Sequence, residues 1–274
     1  MAKRKLNILN LILLLFVFSL GCTKVPYTER TQVMMFSEED ETQMGNATFE
    51  QIKAQSTINS DPQINSVIKE VGQRIAKAAD KPDYQWEFVV IEDKDANAFA
   101  LPGGKVAFYT GILPVCKDEF GIAVVMGHEV SHVLARHGAE RLSQQSIISI
   151  GKAALMSGLL GGSPAAQEAM LSAYGIGTKV GIMLPYSRKQ EAEADRIGLI
   201  IMAKAGYNPQ SAVEFWKRMT EQAGGRGGPE LLSTHPSDEK RIEALESFLP
   251  EAMEHYNKAI EANPSLKKAP KAVG

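Results

Sequence analysis

Two histidines and a glutamate stand close together in the sequence His128-Glu129-Val130-Ser131-His132. In a helix with about 3.6 residues per turn, His128 and His132 lie one turn apart on the same face, so both imidazoles can bind one metal ion beside Glu129. Neutral imidazoles suit Zn²⁺, and a catalytic zinc ion keeps one coordination position for water. The pattern predicts metal-assisted hydrolysis with Glu129 as general base, and it requires a third ligand from elsewhere in the chain.

The residues around this motif predict a buried helix. Asp118 and Glu119 suit a helix N-terminus, and the positions that follow are apolar nearly all round. A chance match to the pentapeptide is the alternative interpretation. It is weakened because histidines and a glutamate on a buried helix need an opposite charge nearby.

A downstream acidic cluster offers the third ligand, in the sequence Glu191-Ala-Glu193-Ala-Asp195. Glu191 and Asp195 share one face of a helix, whereas Glu193 points elsewhere. We predict that Glu191 binds the metal and that Asp195, with Arg188 from the same segment, lies around the ligands, where Asp195 accepts the free ring N–H of a metal-bound histidine. The alternative is a solvated helix N-terminus with no metal.

Together these segments resemble a known family. H-E-V-S-H followed by S-R-K-Q-E-A-E-A-D is similar to the HtpX/Oma1-like zinc metallopeptidases of the gluzincin type, most of all to the BepA/LoiP-like branch of periplasmic lipoproteins. Further shared motifs are V-P-Y-T-E-R from Val25, N-A-F-A-L-P-G-G from Asn97 and T-H-P from Thr234. The resemblance implies a zincin-like domain with one Zn²⁺ per chain, a polypeptide substrate, and quality control of misfolded or unassembled envelope proteins.

The fold class expected is α+β and mainly helical, with a small β-sheet beside the H-E-x-x-H helix. Helices are predicted from Ser37 to about Gln55, after Asp61-Pro62, and from Ser237 to about Leu249. Alternating residues predict a strand through Ile91. Residues 97–101 and 105–110 flank Pro-Gly-Gly and predict a hairpin.

One strand of this sheet is a candidate for substrate binding. An edge strand formed by Asn97, Ala98, Phe99 and Ala100 could pair with an extended peptide and hold it across the metal by main-chain hydrogen bonds. A core sheet without that role is an equal alternative.

The other histidines differ in context. His235 precedes Pro236 in a segment that the resemblance places close to the zinc, so it is a candidate catalytic residue that stabilises the oxyanion. It could instead occupy the open coordination position and hold the enzyme latent, or serve only at a helix entry. His137 lies about 180° round the helix from His128 if the helix continues, which predicts a structural or surface residue.

The N-terminus predicts export. Lys3-Arg4-Lys5 precedes an apolar run from Leu6 to Leu20, and Gly21-Cys22 follows. Residues 1–22 are predicted to be a lipoprotein-like export signal with Cys22 lipidated, so that the protein is anchored to the periplasmic side of a bacterial outer membrane. An uncleaved N-terminal anchor is the alternative. The formal net charge of -2 gives no support for nucleic acid as a partner.

Two regions remain. Residues 23–250 are predicted to form the metallopeptidase domain, and residues 251–274 a helix with a basic flexible tail. The stretch from Ile147 to Leu184 is poor in charge and rich in glycine, and we expect a helical mobile cover. A membrane-dipping hairpin and buried packing helices are the alternatives. The competing function is a lipoprotein chaperone or assembly scaffold whose zinc is structural or latent.

Overall fold

The computed structural model describes residues 21–149, 187–223, 231–235, 239–267 and 271–273 of the 274-residue chain. These residues form a mainly helical α+β domain, which confirms the predicted fold class. Within them, no helix is both long and apolar enough to span a bilayer. Residues 1–20 of the predicted export segment and nearly all of the predicted cover over residues 147–184 lie outside the described residues.

The chain begins with a β-hairpin. Strand β1 (Gly21–Lys24) pairs antiparallel with β2 (Thr31–Met34). The turn between them contains Tyr27 and Glu29, both with positive φ. The turn lacks the Gly and Asn residues that usually reveal such a hairpin in a sequence.

Two capped helices follow at the predicted positions. Ser37 forms a capping box at the start of α1 (Glu38–Gln55), and the Asp61 side chain accepts from two backbone N–H groups at the start of α2 (Pro62–Ala79). Helix α2 packs one apolar face against the helix that carries the H-E-x-x-H motif.

A three-stranded sheet completes the scaffold. Its order is β3 (Glu87–Ile91), β5 (Lys105–Tyr109), β4 (Ala98–Leu101), with β3 parallel and β4 antiparallel to the central strand. Strand β4 packs against the motif helix, so the small sheet lies beside the motif as predicted.

The motif helix ends before His137. A 3-10 turn (Thr110–Ile112) and the short helix α3 (Leu113–Cys116) lead to α4 (Glu119–Leu134), which Asp118 caps. The chain then breaks at Arg136, which has φ 56°, before α5 (His137–Ser149) begins. His137 therefore lies on a second helix, and it is fully buried rather than at the surface.

The described part of the C-terminal half contains four further helices, of which the first two pack against α4. They are α6 (Arg188–Lys204), α7 (Gln210–Ala223), the one-turn α8 (Leu231–Thr234) and α9 (Glu239–Ala262), and a 3-10 turn (Pro264–Leu266) follows. Helix α9 continues through Pro250, so the predicted boundary after residue 250 falls inside one helix. Residues 271–273, predicted as part of a flexible tail, instead pair with the start of α4. Glu119 N donates to Lys271 O at 3.0 Å, and Val273 N donates to Lys117 O at 3.1 Å.

Helices α4 and α6 approach most closely where glycine faces glycine. A Cβ atom on Gly198 would lie 3.1 Å from Gly127 C and 3.1 Å from His128 N, both backbone atoms of α4. The absence of side chains at this crossing sets the distance between the two helices, and hence between the residues that each presents.

Gly198→Ala is expected to lower the free energy of unfolding by about 1–3 kcal/mol, because the added methyl group must push the helices apart. The same displacement separates His128 from α6, so metal affinity should fall as well. Thermal unfolding and zinc titration measure the two effects. Gly72→Ala is the control, because its Cβ would meet the Phe88 ring at 2.5 Å, away from the motif. Equal losses of metal affinity in both variants would contradict this role of the glycine contact.

Candidate metal centre

Four buried side chains converge at the crossing of α4 and α6. One ligand atom from each of His128, His132, Glu191 and His235 lies within 4.8 Å of all the others. His128 Nε2 lies 3.2 Å from His132 Nε2 and 3.4 Å from Glu191 Oε2. His235 Nδ1 lies 3.1 Å from His128 Nε2 and 3.0 Å from Glu191 Oε1. The structure thus brings together the three predicted ligands and adds His235.

This cluster fits a zinc ion. Tetrahedral zinc with bonds of about 2.0–2.1 Å places its ligand atoms ~3.3 Å apart. The four distances given above, from 3.0 to 3.4 Å, are close to this value. Glu191 Oε2 is buried and, among the described residues, has no partner in hydrogen-bond geometry. Imidazole nitrogens with one carboxylate oxygen are also the donor set that zinc prefers.

The charges around the cluster fit a divalent cation. Burial alone would raise the pKa of Glu191, but His235 and Arg241 hold it well below the ordinary value, so this group is a carboxylate. Burial would lower the pKa of His128, yet its contacts with Asp195 and Glu191 outweigh burial and raise it to about 9. The same negative surroundings that favour a proton on this ring favour a metal ion. Three carboxylates (Glu129, Glu191 and Asp195) would balance Arg241 and one divalent ion.

Glu129 stands beside the ligands without joining them. It is buried, and its Oε1 lies 3.6 Å from His235 Nε2 with no hydrogen-bond partner among the described residues. Burial raises the pKa of Glu129, which makes the group a better proton acceptor than an exposed glutamate.

Asp195 fixes the first histidine. Its Oδ1 lies 2.9 Å from His128 Nδ1, so it can accept the ring N–H and leave Nε2 free to face the cluster, as predicted. Arg241 in turn donates to both oxygens of Asp195, each at 2.8 Å, and Nη1 lies 3.2 Å from Glu191 Oε2. The guanidinium lies 3.4 Å from the centre of the Trp216 ring. One buried arginine therefore holds Asp195 and Glu191 in place.

Sequence reasoning named Arg188 near the ligands and did not name Arg241. Arg188, predicted beside Asp195, is exposed at the start of α6 and lines a cavity next to Glu191. Arg241 was missed, although a pattern could have revealed it. It shares the buried face of α9 with Leu245 and Ala252, where an arginine needs a buried partner.

The predicted substrate strand is closed in this structure. Asn97, Ala98, Phe99 and Ala100 are all buried, and the neighbouring Ala96 carbonyl accepts from Leu231 N at 3.1 Å. These residues offer almost no surface to a peptide, so the structure favours the core-sheet alternative, and their role in substrate binding stays a prediction.

His235 follows the shortest helix of the site. Residues 128 and 132 belong to α4 and residue 191 to α6, each of more than three turns, whereas His235 follows the one-turn helix α8. Its backbone N donates to Leu231 O at 2.8 Å. Of the four clustered side chains, this one has the least secondary structure holding it in place.

Comparison with known proteins places most of the chain in one family. Residues 62–249 match the sequence model of Peptidase family M48. The chain is 36% identical over 255 residues to the mitochondrial metalloendopeptidase OMA1 of Saccharomyces cerevisiae, covering 86% of this chain and 71% of that protein.

Two other relatives are matched over a smaller part of their length. Identity to the OMA1 protein of Schizosaccharomyces pombe is 42% over 192 residues, covering 68% of this chain and 53% of the relative. The beta-barrel assembly-enhancing protease of Escherichia coli K12 is 34% identical over 206 residues, covering 74% of this chain and 42% of the relative. The chain thus spans about half the length of these two proteins.

Proposed function

The chain belongs to peptidase family M48 and to the metalloendopeptidases within it, and we propose that it uses zinc to hydrolyse peptide bonds in misfolded or unassembled proteins of a bacterial cell envelope. The observation that carries the proposal is the buried cluster of His128, His132, Glu191 and His235 with the Glu129 carboxylate beside it. Asp195 contacts His128 and Arg241 contacts Glu191, so these two residues hold the ligands in place.

The chain's own residues supply binding and proton transfer. His128, His132 and Glu191 would hold the zinc ion, which when bound polarises a scissile carbonyl and makes water more acidic. Glu129 accepts a proton from the attacking water and returns one to the leaving amine. Asp195 and Arg241 keep His128 and Glu191 in the orientation that this requires.

Cleavage of an unfolded protein tests the proposal. The purified chain is expected to cleave casein, to lose this activity when a chelator removes the metal, and to recover it when zinc is returned. Absence of cleavage by the zinc-loaded protein, or cleavage that survives complete metal removal, would refute the proposed activity.

The competing function is a chaperone or assembly scaffold with a structural zinc ion. One observation favours it: four protein ligands are typical of structural zinc, because they leave no coordination position for water. The two functions differ in the role of His235. A structural site needs His235 as a permanent fourth ligand, whereas an enzyme needs water to take its place on the metal.

His235→Ala is expected to raise the rate of casein cleavage several-fold. The substitution leaves three ligands on the long helices and opens the position that His235 fills, so the fraction of competent enzyme rises. Zinc affinity should fall only modestly. Lower activity with zinc still bound would indicate an oxyanion role, unchanged activity would indicate a helix-entry residue, and loss of zinc together with loss of folding would indicate a structural site.

The proposed location rests on the N-terminal sequence. A lipid on Cys22 would anchor the domain to the periplasmic face of the outer membrane. The name of the E. coli relative, a beta-barrel assembly-enhancing protease, supports this setting. Labelling with a radioactive fatty acid should mark the wild-type chain and not Cys22→Ser, and a chain that carries no label in either form would contradict lipid anchoring.

A further inference from the structure

The second metal ligand has a partner behind it. His132 presents Nε2 to the ligand cluster, and its Nδ1 lies 2.9 Å from His137 Nδ1 on the neighbouring helix. His137 Nε2 lies 2.9 Å from Glu193 Oε2. All three side chains are buried. His128 has a carboxylate directly behind its ring, whereas His132 reaches one only through a second imidazole.

One arrangement of protons satisfies both contacts. A histidine binds a metal through a nitrogen that carries no proton, so His132 must be protonated at Nδ1 when its Nε2 is a ligand. That N–H donates to His137 Nδ1, which must then be the acceptor. His137 consequently carries its proton on Nε2 and donates it to Glu193. The chain of contacts therefore selects the tautomer of His132 that can bind metal.

Glu193 is held from the N-terminal hairpin. Thr28 Oγ1 donates to Glu193 Oε1, and Arg30 Nε donates to Glu193 Oε2 at 2.8 Å. Arg30 Nη2 also lies 2.8 Å from Glu193 Oε2, and the same oxygen faces His137 Nε2. The carboxylate is thus placed between the hairpin and His137, where it can accept from both.

Further contacts fix the hairpin against both helices of the site. Arg30 Nη2 donates to Glu140 Oε2 at 2.9 Å, and the same oxygen accepts from Gln190 Nε2 at 2.9 Å. Gln32 Nε2 donates to Ala135 O at 2.9 Å, where α4 ends. The hairpin thus contacts α4, α5 and α6 and helps to fix these three helices relative to one another.

We propose that Thr28 and Arg30 of the N-terminal hairpin are positioning residues of the metal centre, which act through Glu193 and His137 to fix the orientation and tautomer of His132. The turn of the hairpin carries the V-P-Y-T-E-R sequence and lies before residues 62–249, which match the family model. This inference rests on the proposed metal centre. It adds that the centre is incomplete without residues 28–30, so the segment next to the predicted lipid anchor contributes to metal affinity.

Zinc affinity of the whole chain tests the inference. Loss of the partner behind a metal-binding histidine typically costs about 10- to 100-fold in metal affinity, so we expect His137→Leu to raise the zinc dissociation constant by that factor. His137→Gln should recover much of the loss, because its amide can accept from His132 and donate to Glu193. Thr28→Val, which keeps the shape of the side chain, should give a smaller loss. The visible spectrum of the Co²⁺-loaded protein should shift in His137→Leu.

Glu87→Gln is the control. Glu87 is another carboxylate paired with cations, Lys53 Nζ at 2.6 Å and Lys105 Nζ at 3.3 Å, and it lies in β3, which carries none of the ligands. This variant should lose stability and keep its zinc dissociation constant within about twofold. The apo and zinc-bound forms are compared by thermal unfolding, since a purely structural residue would lower both midpoints equally.

A double-mutant cycle tests whether the hairpin acts through His137. Arg30→Ala should weaken zinc binding in the wild-type background and have no further effect in His137→Leu. Equal effects in both backgrounds, or wild-type affinity in His137→Leu, would overturn the inference. If the wild-type chain itself bound no zinc, the proposed function would fail first, so the two failures are distinguishable.

Discussion

Glu129→Gln is expected to lower kcat/KM for casein by about 10²–10⁴-fold, the usual contribution of a general acid–base, while the protein keeps its zinc ion. Glutamine has nearly the shape of glutamate but cannot accept a proton. Glu129 is buried and, through Oε1, has no hydrogen-bond partner among the described residues, so the amide should be accommodated without breaking a contact there.

The measurement pairs turnover with metal content. Glu119→Gln is the control, because Glu119 is equally buried at the other end of the same helix and both of its oxygens lack a hydrogen-bond partner among the described residues. That variant should retain activity. If Glu129→Gln cleaved casein at the wild-type rate, the assignment of Glu129 as the base would be wrong.

Local patterns predicted the elements well. The capping box at Ser37, the Asp61-Pro62 helix start and the Pro-Gly-Gly turn are each determined by neighbours in the chain, and each was found where the sequence indicated. The family, too, is confirmed by the matched residues 62–249. Such features depend on short-range physics and on motifs of fixed spacing, which a single sequence displays directly.

Long-range contacts explain what was missed. The break between α4 and α5 has neither Gly nor Pro. It occurs at Arg136, whose side chain contacts Glu41 and donates to Phe36 O at 2.7 Å, far away in sequence. Because the helix was assumed to continue, His137 was expected to face away from the metal ligands. In the structure its ring lies against the ring of His132. Pro250 misled in the opposite direction, since α9 continues through a residue that usually ends a helix.

The two arginines of the site show the same limit. Arg188 was chosen because it stands next to the acidic cluster in the sequence, whereas Arg241 contacts that cluster from a helix that begins after it. Distance along the chain does not decide which cation reaches a buried carboxylate. Glu191 was named because the H-E-x-x-H helix needs a third ligand and Glu191 stands in an acidic cluster downstream. The sequence did not show the close contact of Gly127 with Gly198, which brings the two helices together.

Glu191→Ala is expected to abolish both zinc binding at micromolar zinc and casein cleavage. Glu191 is the one carboxylate among the four clustered side chains. Its removal leaves Arg241, whose Nη1 is 3.2 Å from Glu191 Oε2, facing the cluster with less opposing charge. Only the neutral imidazoles of His128, His132 and His235 would then face a bound cation, beside the buried positive charge of Arg241. The variant therefore loses one ligand and the negative charge that offsets the cation.

Two further variants separate ligand loss from general damage. Glu191→Asp keeps the charge but withdraws the oxygens by one methylene group, so it should retain folding and bind zinc more weakly than the wild type. Glu251→Ala removes a carboxylate that contacts α6 at Arg196, outside the cluster, and it should bind zinc normally. Zinc content after dialysis, thermal unfolding and casein cleavage are measured on all three. A folded Glu191→Ala protein that retained one zinc ion per chain would contradict this assignment. It would show that zinc binding does not need the ligand from α6.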